Sequence, residues 1–311
     1  MPALVGIGTR RLHVNIASWN VQGLRTLGKY DQILAFMIKH KIDILFMQET
    51  WQTTSSHFQK TTPTSPPHTF QIFHSASNKD KHAGVGFIIS PKIRPFIMNF
   101  TSHSSRIASI KLRSQPRPIQ LFSVYAPSML SDPELDLQRK EQFWQQAHTI
   151  IEQTPDAIIK IIAGDLNVRM HARPNSHTQH VGPHVWGLGE DHILPEPNNR
   201  TYLLEFLSTF SMHIPSSFRP TLPQNQITYA DMTPLDTFPP PDPTNPNPKH
   251  YSRLDDFITP LSRKNLLTNF RSLTSVPFES RHFPIIATLT PHDATPTPKP
   301  ATVQRFYPSN T

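Results

Sequence analysis

The stretch "AIIKIIAGDLNV", residues 157–168, decides the fold. Its first part is an apolar run interrupted by one lysine, with the length expected of a strand that is buried on both faces. Asp165 and Asn167 follow at once, so both stand at the carboxyl end of the predicted strand. Polar side chains at strand ends are a common way for an α/β scaffold to build a site, because the sheet fixes their positions.

Outward from this stretch, further apolar runs rich in Ile, Val and Phe predict buried strands. They cover residues 12–19, 42–47, 84–90, 106–112 and 119–126. Helices are predicted over residues 29–41, over 132–153, and from 199 into a strand that ends at 214. Strands and helices mix without strict alternation, and 84–126 is interpreted as consecutive antiparallel strands. This order favours an α/β sandwich with mixed sheets over a purely parallel fold.

Proline marks the irregular segments of the chain. Residues 61–69 are interpreted as a surface loop, and the prolines of 231–252 exclude a central strand or helix there. The tail, 291–311, is rich in Pro and Thr and is expected to be extended or disordered. We therefore predict one domain over 12–290 with a proline-rich loop insertion at 231–252, preceded by an N-terminal extension, 1–11.

The composition is basic and lacks cysteine. The chain has 30 Lys and Arg against 22 Asp and Glu, which favours an anionic partner, nucleic acid above all. An ordinary basic surface is the alternative. The absence of cysteine excludes a disulfide framework and a thiolate zinc site. Neither a membrane span of ~18 apolar residues nor a signal peptide is present, so we expect an intracellular protein without a membrane association, and the nucleus is a compatible compartment.

The reactive side chains collect where the predicted strands end. They comprise carboxylates, two amides, a phenol and an imidazole, without a thiol or a glycine-rich phosphate loop. Hard oxygen ligands suit Mg²⁺ or Mn²⁺, and an acid beside an imidazole suits proton transfer near neutral pH. In a basic chain this set points to metal-assisted phosphodiester hydrolysis. The residues are Asn20, Glu49, Tyr125, Asp165, Asn167, Asp255, Asp256 and His282.

Each of these residues also has a purely structural interpretation when it is taken alone. Glu49, Asp165 and Asn167 could cap or form turns. Asp255 could form a surface ion pair with Arg253, and the imidazole and the phenol could belong to the core. The order of the motifs along the chain favours the functional interpretation, because every structural alternative would have to hold at once.

Six short motifs in this order resemble the endonuclease/exonuclease/phosphatase superfamily, whose members include apurinic endonucleases and DNase I. The motifs are "SWNVQGL" (18–24), "MQETW" (47–51), "SVYAP" (123–127), "AGDLNV" (163–168), "SRLDDFI" (252–258) and "SRHFPI" (280–285). The resemblance spans roughly residues 12–290. It implies a four-layer α/β sandwich, in which two packed mixed β-sheets are flanked by helices as in DNase I.

The resemblance also implies a role for each residue. Glu49 would be the principal ligand of Mg²⁺ or Mn²⁺, and Asn20 would lie beside the metal, positioned by hydrogen bonds. Asp165 would either activate the attacking water or protonate the leaving oxygen. Asn167 would hold a phosphate oxygen or that water, and Tyr125 would donate to the scissile phosphate.

A histidine and a carboxylate complete the implied site. His282 would stabilise the charge that develops on the phosphate or act as a base, and Asp255 would orient it. Asp256 is the rival for this role. Because neighbouring residues of a strand face opposite ways, only one of the two aspartates can point inward.

Two positions depart from the family pattern. Arg281 stands where the family usually has an aspartate before the histidine, and its charge could repel a cation or grip a phosphate. Gln22 stands where repair-type members carry an acid, although retrotransposon members often lack that acid. These departures predict reduced or absent nuclease activity as the alternative to an active enzyme.

The segment after "GDLNVRM" narrows the resemblance. "VWGLGEDHILPEPNNRTYLLEF" (185–206) and "ITYADM" (227–232) are similar to endonuclease domains of LINE-type (non-LTR) retrotransposons. The resemblance implies a DNA-nicking endonuclease that acts as a monomer and is formerly or potentially linked to a reverse transcriptase. The alternatives are a phosphoesterase acting on RNA or a phosphoinositide, and a catalytically impaired descendant that binds nucleic acid or protein.

Overall fold

The computed structural model describes residues 13–231, 242–277 and 280–290. The predicted extension, 1–11, and the predicted tail, 291–311, lie outside the described residues, as does 232–241 of the proline-rich segment. Three α-helices occur in the described part and confirm the predicted ones: α1 (Lys29–Lys39), α2 (Pro133–Glu152) and α3 (Asn199–Thr209). Helix α2 begins as its sequence predicts, because the Asp132 carboxylate accepts hydrogen bonds from two backbone amides of the first turn.

Fifteen strands occur in the described residues, and thirteen of them belong to two large sheets. In chain order they are β1 (Val14–Asn20), β2 (Ile44–Gln48), β3 (Ser56–Thr61), β4 (Thr69–Ser75), β5 (Val85–Ile89), β6 (Ile97–Ser104), β7 (Ile107–Leu112), β8 (Ile119–Tyr125), β9 (Ile159–Asp165), β10 (Met212–His213), β11 (Tyr229–Ala230), β12 (Tyr251–Ser252), β13 (Asp255–Pro260), β14 (Leu267–Ser272) and β15 (Ile285–Leu289).

Both large sheets are mixed. The first has the strand order β14-β15-β1-β2-β5-β4-β3, and the second has the order β10-β13-β9-β8-β7-β6. One parallel pair lies near the centre of each sheet, β1 with β2 and β8 with β9. Strands β11 and β12 form a separate two-stranded hairpin sheet.

The two large sheets pack face to face around the main core. Phe46 of β2 contacts Phe87 in its own sheet, with ring centroids 5.1 Å apart, and Phe257 of the opposite sheet at 6.2 Å. Helix α1 covers the outer face of the first sheet, where Trp19 and Phe36 pack with centroids 5.3 Å apart. Helices α2 and α3 cover the outer face of the second sheet. The predicted four-layer α/β sandwich is therefore confirmed.

The position of each layer explains the apolar runs. In β9, Ile161 and Ala163 face the core between the sheets, whereas Ile162 faces the helices α2 and α3. A strand covered on both faces needs apolar residues at every position, and full burial of each large side chain is worth roughly 1.5–3 kcal/mol. The same alternation places Asp165 on the face of Ile161 and Ala163, so its carboxylate emerges between the two sheets.

One predicted arrangement was wrong, and several strands were not predicted. Residues 84–126 do not form one antiparallel series, because β5 lies in the first sheet between β2 and β4, while β6, β7 and β8 follow one another in the second sheet. Strands β3 and β6 were missed because they lie at sheet edges and are largely exposed, so they lack an apolar run. The predicted loop at 61–69 connects β3 to β4.

Within the described residues, no helix combines the length and the apolar character that crossing a membrane requires.

Candidate active site

The carboxyl ends of the two parallel strand pairs come together at one edge of the sandwich. Asn20 ends β1 and pairs in register with Gln48, which ends β2 and is followed by Glu49. Tyr125 ends β8 and pairs with Asp165, which ends β9. Strands β1 and β2 both contact β9 across the sandwich. Because the parallel strands of a pair run in one direction, their polar end residues are delivered to the same edge.

Asn20 links two carboxylates at this edge. Its Nδ2 donates to Glu49 Oε1 at 2.7 Å and to Asp165 Oδ2 at 2.9 Å. Its Oδ1 accepts a hydrogen bond from the backbone N–H of Gln22 at 3.2 Å, which fixes the orientation of the amide. Asn20 is fully buried, whereas Glu49 is half-buried and lines the cleft. The nitrogen of Asn20, rather than its oxygen, faces the two carboxylates.

The loop after β2 holds Glu49 in place. Glu49 and Trp51 have φ values of 50° and 55°, and the Trp51 indole Nε1 donates to Glu49 Oε2 at 3.2 Å. Gly23 lies directly beneath this indole, since a Cβ atom at Gly23 would stand 2.3 Å from the Trp51 ring, and its φ is +90°. Only glycine tolerates both this contact and this backbone conformation. Both oxygens of the Glu49 carboxylate are therefore positioned before any ligand arrives.

His282 forms a hydrogen-bonded pair with Asp255. The distance from His282 Nδ1 to Asp255 Oδ2 is 2.9 Å, and Asp255 is fully buried. Asp255 starts β13 opposite Asp165, and His282 Nε2 lies 3.7 Å from Asp165 Oδ2. The Trp19 indole donates to the His282 carbonyl oxygen at 2.9 Å. A carboxylate at Nδ1 fixes the tautomer of the ring and directs Nε2 toward the cleft.

Asp256 points to the other side of β13, as strand alternation predicts. It pairs with Arg253, at 2.6 Å from Nε to Oδ2, and accepts a hydrogen bond from Ser216 Oγ at 2.8 Å. The ion pair considered for Asp255 is thus formed by Asp256, while Asp255 faces His282.

Asn167 and Tyr125 line the same cleft as the carboxylates of Glu49 and Asp165. The backbone N–H of Asn167 donates to Asp165 Oδ1 at 3.0 Å, and Asn167 Nδ2 donates to the carbonyl of Ala126 at 2.8 Å. Asp165 therefore forms the predicted turn with Oδ1, while its Oδ2 contacts Asn20 and faces His282 in the candidate site. Tyr125 is largely buried, and the guanidinium carbon of Arg106 lies 4.7 Å from its ring centroid.

Burial and mutual charge shift the pKa values of the site. Burial, and then the negative charge of Asp255, raise the pKa of the Asp165 carboxyl. Burial alone would lower the pKa of His282, but the charges of Asp255 and Asp165 raise it to about 9. Burial, followed by the charges of Glu49 and Asp165, raises the pKa of Tyr125 well above its usual value. At neutral pH the site thus offers an imidazolium and a phenol as donors, and a carboxyl poised for proton exchange.

A hard divalent cation fits the donor set. Glu49, Asp165 and His282 each offer one ligand atom, and the three atoms lie within 4.8 Å of one another. The two carboxylates are the hard oxygen donors of this set, and the Asp255 carboxylate at Nδ1 favours His282 as a hydrogen-bond donor beside them. Two carboxylates, with water and a substrate phosphate, match the usual surroundings of Mg²⁺.

These groups line a cleft of about 310 Å³. Its walls include residues that the sequence did not single out, although four of them belong to the segments "GDLNVRM", "NNRTYLLEF" and "ITYADM". Asn199 is fixed in the wall by two hydrogen bonds, since it accepts one from the Trp144 indole at 3.0 Å and donates one to the Pro127 carbonyl at 2.8 Å. The added wall residues are Lys140, Arg169, Asn199, Arg200 and Tyr229.

Gln22 and Arg281, the two departures from the family pattern, touch each other. The backbone N–H of Arg281 donates to Gln22 Oε1 at 2.8 Å, and the Arg281 side chain is exposed. Gln22 also lines the cleft. The positions at which the resemblance implies acids are therefore next to the site, so the substitutions change its local charge.

The chain is similar in fold to several solved nucleases. An AP endonuclease of Leishmania major, LMAP, has a TM-score of 0.62 at 16% identity, covering 90% of this chain and 88% of that one. The endonuclease domain of TRAS1, a telomere-specific non-LTR retrotransposon, has a TM-score of 0.54 at 15% identity, covering 89% and 98%. An AP endonuclease of Archaeoglobus fulgidus has a TM-score of 0.59 at 14% identity, covering 89% and 99%.

No curated protein matched this chain with significant sequence similarity. The sequence profile of the endonuclease/exonuclease/phosphatase family matches residues 17–282. This match covers most of the chain and runs from the strand that supplies Asn20 to His282 itself. The chain belongs to the endonuclease/exonuclease/phosphatase family.

Proposed function

We propose that this member of a phosphodiester-hydrolysing family is a DNA-nicking endonuclease of the retrotransposon type that depends on Mg²⁺ or Mn²⁺. One observation carries the proposal. A carboxylate oxygen of Glu49, one of Asp165 and a ring nitrogen of His282 lie within 4.8 Å of one another in a single cleft, although these residues stand far apart in the sequence. Their chemistry is that of charge neutralisation and proton transfer at a phosphate.

Asp165 and Asn167 would manage the water or the leaving oxygen. The raised pKa of Asp165 lets its carboxyl accept a proton from the attacking water or give one to the leaving oxygen. Asn20 donates to Asp165 Oδ2, which restricts the direction in which the carboxylate can act. Asn167 stands two residues on, held by its bond to the Ala126 carbonyl, where it would hold a phosphate oxygen or the water.

His282 and Tyr125 would stabilise the negative charge of the transition state. Asp255 at Nδ1 favours the imidazolium, and Nε2, which lies 3.7 Å from Asp165 Oδ2 in the cleft, would donate to the phosphate. The Tyr125 hydroxyl keeps its proton at neutral pH, so it can donate to a phosphate oxygen. Donors that are fixed before the substrate binds need no reorganisation during the reaction, which is the main source of such stabilisation.

The divalent cation would be held chiefly by Glu49, with Asn20 positioned beside it, while Asp165 exchanges the proton. When bound, it neutralises charge on the phosphate and lowers the pKa of a bound water. Asn20 and Trp51 position the Glu49 carboxylate by hydrogen bonds at 2.7 and 3.2 Å. A mutation of either residue would therefore weaken metal binding without removing a ligand.

DNA is proposed as the substrate on two grounds. The chain has 30 basic residues against 22 acidic ones, and this positive net charge favours a polyanionic substrate. Its segment after "GDLN" is similar to endonuclease domains of LINE-type retrotransposons, and the TRAS1 domain, which belongs to a telomere-specific non-LTR retrotransposon, has the same fold. We also propose that the domain over residues 12–290 acts as a monomer.

A catalytically impaired, nucleic-acid-binding protein is the second candidate. Arg281 favours it, because a cation replaces the acid that the resemblance implies beside His282. Relaxation of supercoiled plasmid in Mg²⁺ separates the two candidates. The active enzyme nicks the plasmid, and EDTA stops the reaction. The impaired protein retards the DNA in a gel without nicking it, and Arg281→Asp then restores nicking.

A further inference from the structure

His282 is covered by the hairpin of β11 and β12. The ring of Tyr229, at the start of β11, lies with its centroid 4.7 Å from the His282 ring. The backbone of the same strand holds both neighbours of the histidine. Ala230 N–H donates to the Arg281 carbonyl at 2.8 Å, and Phe283 N–H donates to the Thr228 carbonyl at 2.8 Å. The position of the imidazole therefore depends on the position of this hairpin.

Arg169 clamps the base of the hairpin. Its guanidinium donates to both carboxylate oxygens of Asp231, which follows β11, and to Ser252 Oγ, at the end of β12, at 2.7 Å. Ser252 also donates to Asp231. A planar guanidinium that engages a carboxylate with two bonds fixes geometry as well as charge.

The clamp joins two parts of the active site. Arg169 stands four residues after Asp165, in the loop that also carries Asn167. Its partners Asp231 and Ser252 lie on the hairpin that covers His282. The Arg169 side chain is 38% exposed and that of Asp231 is 21% exposed, so the pair is partly shielded from solvent.

We propose that Arg169 is a positioning residue, which acts through Asp231 and Tyr229 to hold the His282 imidazole against Asp255 and opposite Asp165. The inference deepens the proposed function, because it assumes that His282 serves the phosphodiester hydrolysis. Arg169 does not touch the reacting atoms in this account. Its loss would leave every catalytic group in the chain but would let the hairpin, and with it the imidazole, move from the reactive position.

The test combines histidine NMR with steady-state kinetics on the full chain. The ring signals of His282 are identified in isotope-labelled protein by their loss in His282→Gln. They are then followed in Arg169→Met, Asp231→Asn and the double variant. Arg173→Met is the matched control, because Arg173 lies in the same loop but donates to the backbone carbonyls of Val181 and Thr178.

Arg169→Met and Asp231→Asn should shift the His282 signals and lower kcat about tenfold, since a misplacement of about 1 Å can cost about 100-fold. KM should rise less than kcat falls, because Arg169 lines the cleft but its guanidinium is bound to Asp231 and Ser252. The double variant should be no worse than either single variant, Arg169→Lys should fall between, and the control should behave as the wild type.

Two results would overturn the inference. One is unchanged His282 signals in Arg169→Met; the other is a raised KM with unchanged kcat, which would make Arg169 a substrate-binding residue. If Arg169→Met does not fold, the contact through which Arg169 acts is tested with Tyr229→Ala and Tyr229→Phe. The alanine variant removes the ring that packs on His282, whereas the phenylalanine variant keeps it. If the wild type shows no hydrolysis with Mg²⁺ or Mn²⁺, the proposed function fails, while the NMR signals still decide whether the clamp positions the imidazole.

Discussion

Replacing Asp255 by asparagine should abolish most of the activity without unfolding the protein. The amide has the shape of the carboxylate, but it carries no charge to hold His282 protonated. It can also present an N–H to Nδ1, which would favour the wrong tautomer. Because Asp255 is fully buried at 2.9 Å from His282 Nδ1, water cannot take its place.

The direction of the effect on kcat follows from the pKa of His282. Burial lowers this pKa, but Asp255 and then Asp165 raise it to about 9 from the ordinary 6.5. The Asp255 charge is the largest of the contributions that favour the imidazolium. Without the Asp255 charge, burial favours the neutral ring, and loss of a proton donor that acts in the transition state typically lowers kcat by about 100-fold or more. A wrong tautomer increases the loss toward about 10,000-fold, as for the corresponding change in a Ser-His-Asp triad.

The assay is plasmid nicking in Mg²⁺ at pH 7, with Asp256→Asn as the matched control. Asp256 stands next in the chain but pairs with Arg253 and Ser216 on the other face of β13. Its loss should lower the free energy of unfolding, since it breaks a largely buried ion pair, and should leave kcat near the wild-type value once folded protein is compared. Equal kcat losses in the two variants, or an Asp255→Asn protein with full activity, would refute the role assigned to the pair.

Three further outcomes are expected. Gly164→Ala should destabilise the fold by roughly 1–3 kcal/mol and reduce activity, because the new Cβ would lie 1.9 Å from the Val124 carbonyl oxygen; urea unfolding with a wild-type midpoint would contradict this. Glu49→Gln should weaken Mn²⁺ binding by about tenfold or more in calorimetry, and unchanged affinity would exclude Glu49 as a ligand. Burial lowers the pKa of His74 to about 4, so the neutral ring is favoured in the fold and the unfolded chain takes up its proton first; stability should fall as pH falls from about 6.5 toward 4, and His74→Phe should flatten that slope.

Much of the fold could be predicted from local patterns. The run before Asp165 predicts a strand that is covered on both faces, and the strand lies in the centre of the second sheet. The assignment of β5 failed, because no local pattern says which of two sheets a strand joins. That choice depends on long-range pairing with β2 and β4. The edge strand β3 failed for the opposite reason, since exposure on both faces removes the apolar run.

The candidate site was likewise predictable in one part and not in another. The resemblance implies Asp255 as the partner of His282, while strand alternation says only that one of Asp255 and Asp256 can face inward; the structure shows Asp255 in contact with His282 at 2.9 Å. The clamp of Arg169 on Asp231 joins residues 62 positions apart, and the strands it fixes have two residues each. Strands of that length have no measurable periodicity, so the cover over His282 could not be predicted from sequence.

The most direct test of the central claim is the cleavage of supercoiled plasmid by the wild type and by Asp165→Asn, in Mg²⁺ and in EDTA. Asp165 accepts a hydrogen bond from the Asn20 amide, lies 3.7 Å from His282 Nε2, and pairs with Asp255 on the neighbouring strand. The account predicts nicking by the wild type in Mg²⁺, no nicking in EDTA, and a loss of at least about 100-fold in the variant. Nicking that persists in EDTA, or that Asp165→Asn leaves unchanged, would contradict it.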